Sequence, residues 1–201
     1  MKEIVSGIHT WSWFSEEKQI QFNGFYVEGE GEAVIVDPPP YQEADLAEME
    51  ALGAPVAILI TNVHHGRQAA ELARHFNIPI KMHEADAPSA SVSVAATFKD
   101  GDALECGLVA VHMPHAKSPG ETAFHQPSSG ALILGDALIG KPAGQVRLLP
   151  PEKFADPVKA LQGVRRILDV PFSALLLGDG ESLVKGGHDA IRKYLKEAGA
   201  A

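Results

Sequence analysis

Four apolar stretches of this sequence each stop at residues that can bind a metal, exchange protons or carry charge. They are ILITNVHHGR, which ends at Arg67, VHMPHAKSPGE, which contains Lys117, LILGD, which ends at Asp136, and LLLGDG, which contains Asp179. Loops at the ends of rigid strands hold side chains in fixed positions, so chemistry is expected there. The imidazole, carboxylate, ammonium and guanidinium groups in these loops predict a polar site, with or without a metal ion.

The elements that position these loops alternate between strands and helices. In the first half, GFYVEGEGEAVIVD predicts two strands around a glycine-rich turn, and YQEADLAEMEALG predicts a helix. PVAILIT is a continuous apolar run with β-branched residues, typical of a strand buried on both faces. The helix RQAAELARHF and the strand IPIKMHE follow it. This half therefore has the order strand, helix, strand, helix, strand.

The second half repeats the pattern. TFKDGDALECGLVAVHM and ETAFHQPSSGALILGD each predict a hairpin, and SALLLGD predicts another buried strand. DPVKALQGVRRILD predicts a helix with Asp156 as its N-cap, and GGHDAIRKYLKEAG a closing helix. Two similar mixed halves with helices to one side predict an α+β fold, a four-layer αββα sandwich, in one domain spanning residues 1–201.

Composition limits the partners. Seventeen Lys and Arg against 26 Asp and Glu give a formal net charge of −9, which argues against nucleic acid or an anionic membrane as a partner. The single cysteine, Cys106, forms no intramolecular disulfide, and the first residues contain no apolar stretch typical of a signal peptide. We therefore expect a cytoplasmic protein, with a homodimer left open and with Cys106 as a packing residue.

The order of these loops resembles the metallo-β-lactamase superfamily, which includes glyoxalase II and many metal-dependent hydrolases. The resemblance extends from Asn23 to Gly187. The family's first metal loop has the pattern T-H-x-H-x-D-H after an apolar strand. At these positions the sequence has Thr61, Asn62, Val63, His64, His65, Gly66 and Arg67, so only His64 remains of four expected ligands.

The other metal loops also differ from the family pattern. The family has a histidine shortly before a Ser/Thr-Pro-Gly step, and this sequence has Lys117 there, followed by Ser118. Asp136 matches the family's bridging aspartate, whereas Asp179 stands where the last histidine is expected. Five of seven ligand positions are thus replaced, so the resemblance implies a divergent member with a degraded metal site.

The replacements carry charge that suggests a site without metal. We predict that Lys117 and Arg67 take the places of the metal ions and pair with Asp136 and Asp179, because buried carboxylates require a partner. His64, His65, Arg67, Lys117, Asp136 and Asp179 are the predicted catalytic residues, and no cofactor is expected. The alternative is a mononuclear zinc, iron or manganese site formed from the set His64, His65, His115, Asp136 and Asp179.

Two functions of different class follow from these residues. The first is a hydrolase of a small ester, thioester or phosphoester, in which Lys117 and Arg67 stabilise an oxyanion and His64 or His65 acts as base. The second is a non-catalytic protein that keeps the hydrolase fold and binds an anionic metabolite in a cationic pocket. Ancestry favours the first function, and the lost ligands favour the second.

Overall fold

The computed structural model describes residues 1–200 and contains two β-sheets packed face to face. The first sheet has seven strands in sequence order: β1 (Lys2–Val5), β2 (Ile8–Ser15), β3 (Ile20–Glu28), β4 (Ala33–Val36), β5 (Ala57–Ile60), β6 (Ile80–His83) and β7 (Ala96–Phe98). The second sheet has the order β11-β10-β9-β8, with β8 (Val109–His112), β9 (Thr122–Gln126), β10 (Ala131–Leu134) and β11 (Ala174–Leu177).

Four α-helices cover the outer faces of the two sheets. They are α1 (Glu43–Leu52), α2 (Ala69–Phe76), α3 (Pro157–Arg165) and α4 (Gly187–Glu197). Helix α1 ends at Gly53, whose φ of 128° disfavours any other residue. Helix α3 begins as predicted, because the Asp156 side chain accepts hydrogen bonds from the backbone N–H groups of Val158 and Lys159. None of the helices in residues 1–200 is long and apolar enough to cross a membrane.

The strand side chains alternate between a core that lies between the sheets and cores that lie under the helices. In β10, Ile133 packs between the sheets, whereas Leu132 and Leu134 pack under α3 and α4. In β5, Leu59 faces the second sheet while its neighbours pack with α1 and α2. Continuous apolar strands are therefore buried on both faces, as the sequence indicated. The predicted four-layer αββα sandwich is confirmed.

The prediction of a hairpin within residues 97–113 is wrong. Strand β7 pairs with β6 in the first sheet, whereas β8 pairs with β9 in the second, and only an isolated bridge joins Ala103 to Val109. The segment crosses between sheets because Phe98 and Ala110 both contribute to the core that the sheets share. Cys106 lies in this crossover and is 4% exposed; burial raises the pKa of its thiol to about 12, in agreement with packing.

The parallel strands determine where the site lies. Strands β4, β5 and β6 are parallel, and so are β10 and β11. The carboxyl ends of parallel strands meet at one edge of a sheet, where ligand sites of open sheets tend to lie. Asp37 follows β4, Thr61 follows β5, and Asp136 and Asp179 follow β10 and β11 closely.

Candidate functional site

One cavity of about 540 Å³ brings together all the residues predicted to form the site. Its lining includes the six predicted residues His64, His65, Arg67, Lys117, Asp136 and Asp179. Asn62 is fully buried behind them, where its side chain accepts a hydrogen bond from the backbone N–H of His64. Loops that lie up to 115 positions apart, from His64 to Asp179, therefore converge on one pocket.

His65 occupies the centre of the charged groups. Its ring is 1% exposed, with Nδ1 2.7 Å from Asp37 Oδ2 and Nε2 3.5 Å from Asp136 Oδ1. Burial and the Arg67 guanidinium oppose protonation, but Asp37 and Asp136 outweigh them and raise the pKa of His65 to about 10. The histidine is thus held by carboxylates on both sides.

The contact between Arg67 and His65 must be compatible with a protonated His65 ring. Arg67 Nη2 lies 3.1 Å from His65 Nε2, a distance that would suit a neutral ring accepting a hydrogen bond. Charge balance favours the imidazolium, because three buried carboxylates of Asp37, Asp136 and Asp179 face only two permanent cations. Arg67 Nη2 also donates to Asp179 Oδ1 at 2.8 Å, so it has a charged acceptor of its own.

The two predicted ion pairs are present. Lys117 Nζ lies 2.6 Å from Asp136 Oδ2, and the Asp136 side chain is 4% exposed. Burial opposes ionisation of Asp136, yet His65 and Lys117 hold its pKa far below the usual range. In the Arg67–Asp179 pair burial is the stronger effect, because it raises the pKa of Asp179 although His65 and Arg67 lower it. The Arg67 guanidinium also stacks on Phe22, 4.2 Å from the ring centroid.

Two buried aspartates that the sequence analysis did not include in the site hold the loops in place. Asp37 accepts hydrogen bonds from Thr61 N at 2.8 Å and from Thr61 Oγ1 at 2.5 Å, in addition to its contact with His65. Asp86 accepts from Val63 N, from Ser118 Oγ at 2.6 Å and from Gly120 N, and so joins two of the loops. Ser118 therefore has a structural partner. The position of Asp37 after the apolar run VIVD was the available signal.

Glu121 is a third residue that the sequence analysis missed. It is 0% exposed; its Oε1 lies 3.4 Å from Asn62 Nδ2, and its Oε2 has no hydrogen-bond partner among residues 1–200. Burial and the nearby Asp136 charge raise its pKa well above the ordinary value. Its surroundings therefore favour the neutral form of the Glu121 carboxyl beneath the site. Its place directly after Ser-Pro-Gly in the sequence was the only signal.

The burial and orientation of the histidines differ from what the sequence led us to expect. His64 was the expected remaining ligand, but the short 3₁₀ turn Val63–His65 leaves it exposed while His65 turns inward to the carboxylates. Burial and the Lys117 charge lower the pKa of His64. His115 is exposed and does not line the pocket. Within residues 1–200, the donor atoms with spacing suited to a metal belong to His65, Asp136 and Asp179, which lie within 4.8 Å of one another.

The pocket lining is cationic although the chain is acidic. Six lining residues are basic, namely Lys18, Arg67, Lys117, Lys141, Arg147 and Lys153, while two are acidic and both are already paired. Arg67 Nη1 is buried and has no hydrogen-bond partner within residues 1–200. The pocket thus has cationic donors in excess of its acceptors.

Comparison with known proteins identifies the family to which this fold corresponds. No curated protein sequence matches the chain significantly. The solved structure of TTHA1623 in a di-iron-bound form is 25% identical, has a TM-score of 0.70, and covers 87% of this chain and 94% of its own. DIM-1 metallo-beta-lactamase is 14% identical with a TM-score of 0.78, over 98% of this chain and 96% of its own.

FIM-1 from Pseudomonas aeruginosa, solved in a mono-zinc form, is 14% identical with a TM-score of 0.77, over 99% of this chain and 95% of its own. At this identity the likeness concerns the fold. The family model described as the metallo-beta-lactamase superfamily matches residues 1–198, which is nearly the whole chain. The chain therefore belongs to the metallo-β-lactamase superfamily.

Proposed function

We propose that this protein binds a small anionic molecule in the pocket described above and does so without a resident metal. The observation that carries the proposal is the charge of the pocket, where six Lys and Arg face two paired Asp in a chain of net charge −9. Cations concentrated in one cleft of an acidic protein attract anionic ligands and repel cationic ones. Carboxylate and phosphate groups suit the guanidinium and ammonium groups that line the pocket.

The residues present do not fit the metal centres found in relatives. A zinc site needs three or four ligands at about 2.0–2.3 Å, each with a free lone pair. Both ring nitrogens of His65 already have partners, because Nδ1 lies 2.7 Å from Asp37 Oδ2 and Nε2 lies 3.1 Å from Arg67 Nη2. Asp136 and Asp179 have cationic groups at 2.6 Å and 2.8 Å, which would repel a divalent ion. These contacts support the view that Lys117 and Arg67 substitute for metal charge.

A binding experiment with simple anions tests the proposal. We expect benzoate and inorganic phosphate to bind saturably in calorimetry, and neutral benzamide not to bind. The double variant Arg67→Gln/Asp179→Asn removes a charge pair without leaving either charge alone, so the fold should persist while benzoate affinity falls at least tenfold. Absence of saturable binding by any anion in the wild-type protein would overturn the proposal.

Hydrolysis is the second candidate, and the exposed His64 is the observation that favours it. Its lowered pKa keeps the ring neutral at pH 7, so it can accept a proton from water within the pocket. Arg67 and Lys117 would then stabilise the developing oxyanion of a small ester, thioester or phosphoester. If the protein is a hydrolase, His64→Gln should abolish turnover of such substrates while their binding is retained. Equal turnover by the variant would exclude this role.

A further inference from the structure

We infer that the ligand has two anionic ends separated by an apolar body, an inference that rests on the proposed binding of an anion in this pocket. The basic residues of the lining fall into two groups that differ in burial. Arg67 and Lys117 have side chains only 13% and 23% exposed and lie among the site carboxylates. Arg147 and Lys153 are exposed and belong to a different segment of the chain.

Arg147 and Lys153, here called the outer pair, carry charges that no acidic side chain within residues 1–200 balances. Arg147 and Lys153 form no side-chain hydrogen bond or ion pair with any part of residues 1–200, whereas the lining residue Lys18 pairs with Glu17 and Lys141 donates to the carbonyl of Gln19. The inner cations, by contrast, are already balanced by Asp136 and Asp179. An inner anionic group can bind beside the partly exposed Lys117 ammonium, and a second one can bind the unpaired cations Arg147 and Lys153.

Apolar side chains line the same pocket as the two groups of cations. They are Ile20, Phe22, Ile139, Leu149 and Pro150. The backbones of Ile139 and Arg147 pair through two hydrogen bonds of 2.9 and 3.2 Å, which fixes the start of this wall relative to the outer arginine. Pro150 then leads into the 3₁₀ turn Pro151–Lys153, which places the outer lysine. The segment from Ile139 to Lys153 therefore supplies the outer cations and three of the five apolar side chains, and β3 supplies the other two.

A simple inorganic anion would fill only a small part of the pocket. Its volume of about 540 Å³ lies within the range of roughly 300–1,000 Å³ that pockets for organic ligands occupy. An inorganic anion would leave the apolar wall in contact with water. An organic body bearing a carboxylate or phosphate at each end would bury the wall and satisfy both cationic groups.

Calorimetry with terephthalate and its monomethyl ester measures the contribution of the second charge. Both probes share one carboxylate and one ring, and they differ in whether the far end is charged. We expect terephthalate to bind at least tenfold tighter, and 4-carboxyphenyl phosphate will show whether phosphate or carboxylate is preferred at an end. The advantage should shrink as salt concentration rises, since exposed charges are screened.

The double variant Arg147→Met/Lys153→Met should remove the terephthalate advantage and weaken benzoate far less. The matched control, Arg192→Met/Lys193→Met, removes one Arg and one Lys from exposed positions of α4 and should preserve the advantage. Equal affinities for terephthalate and its monoester would overturn the inference, as would an advantage that persists in the Arg147/Lys153 variant. In both cases bound benzoate would leave the proposed function standing; no binding of any probe would overturn both.

Discussion

Replacing Lys117 by Met removes one partner of the buried pair with Asp136 while keeping a side chain of similar length. At the observed 2.6 Å, the attraction between the two charges amounts to about 6 kcal/mol for an effective dielectric constant of about 20. The net loss is smaller, because the variant no longer pays to desolvate the lysine and because His65 remains 3.5 Å from Asp136. We therefore expect a loss of about 3 kcal/mol in unfolding free energy, the lower end of the roughly 3–5 kcal/mol measured for broken buried pairs.

Urea unfolding at pH 7 measures this loss, provided that the dependence of free energy on urea keeps its slope. The matched control is Lys99→Met, because Lys99 and Glu84 form an exposed pair at 3.3 Å with side chains 67% and 49% exposed. Such a pair contributes about 0–1 kcal/mol. Adding Asp136→Asn to Lys117→Met should cost less than the sum of the two single changes, because Asn requires no counter-charge.

A loss for Lys117→Met as small as that for Lys99→Met would refute the reasoning. It would mean that Asp136 is compensated in another way, by water, by proton uptake or by a bound cation. Measuring the metal content of the same sample would separate the last of these explanations from the others.

Three further predictions follow from the charged cluster. Chelators should leave the melting temperature of the wild-type protein unchanged, because without bound metal no binding energy is linked to folding; stoichiometric zinc, iron or manganese that is lost together with stability would contradict the proposal. The pKa of His65 is about 10 in the folded protein, above its ordinary value, so its stabilising contribution is complete below about pH 6.5 and is lost as pH rises through about 10. Unfolding free energies from pH 6 to 10.5 should fall for the wild-type protein and change less for His65→Gln. Asp86→Asn should cost about 1.5–3 kcal/mol for each charge-assisted hydrogen bond that it loses, so thermal unfolding should detect it readily; a change of under 1 kcal/mol would show that Asp86 does not hold the two loops together.

The sequence by itself determined the layered fold. Runs such as AILI in β5 and ALLL in β11 are apolar at every position, which requires burial on both faces and hence helices outside each sheet. Caps such as Asp156 act over a few residues, so they too can be predicted from local sequence. The pairing of β7 could not be predicted, because local pattern does not determine which strand a segment pairs with.

The sequence also predicted six of the pocket's lining residues, among them Lys117, Arg67, Asp136 and Asp179, which lie in loops after apolar strands. The basic lining residues Lys18, Lys141, Arg147 and Lys153 were not predicted. Only the tertiary structure decided which histidine lies among the carboxylates, because consecutive residues of the turn Val63–His65 point in different directions. It also revealed Asp37, Asp86 and Glu121, whose roles depend on groups up to 59 positions away, as in the Glu121–Asn62 contact. Burial and charge pairing are properties of side chains brought together from distant loops, and that packing exists only in the folded chain.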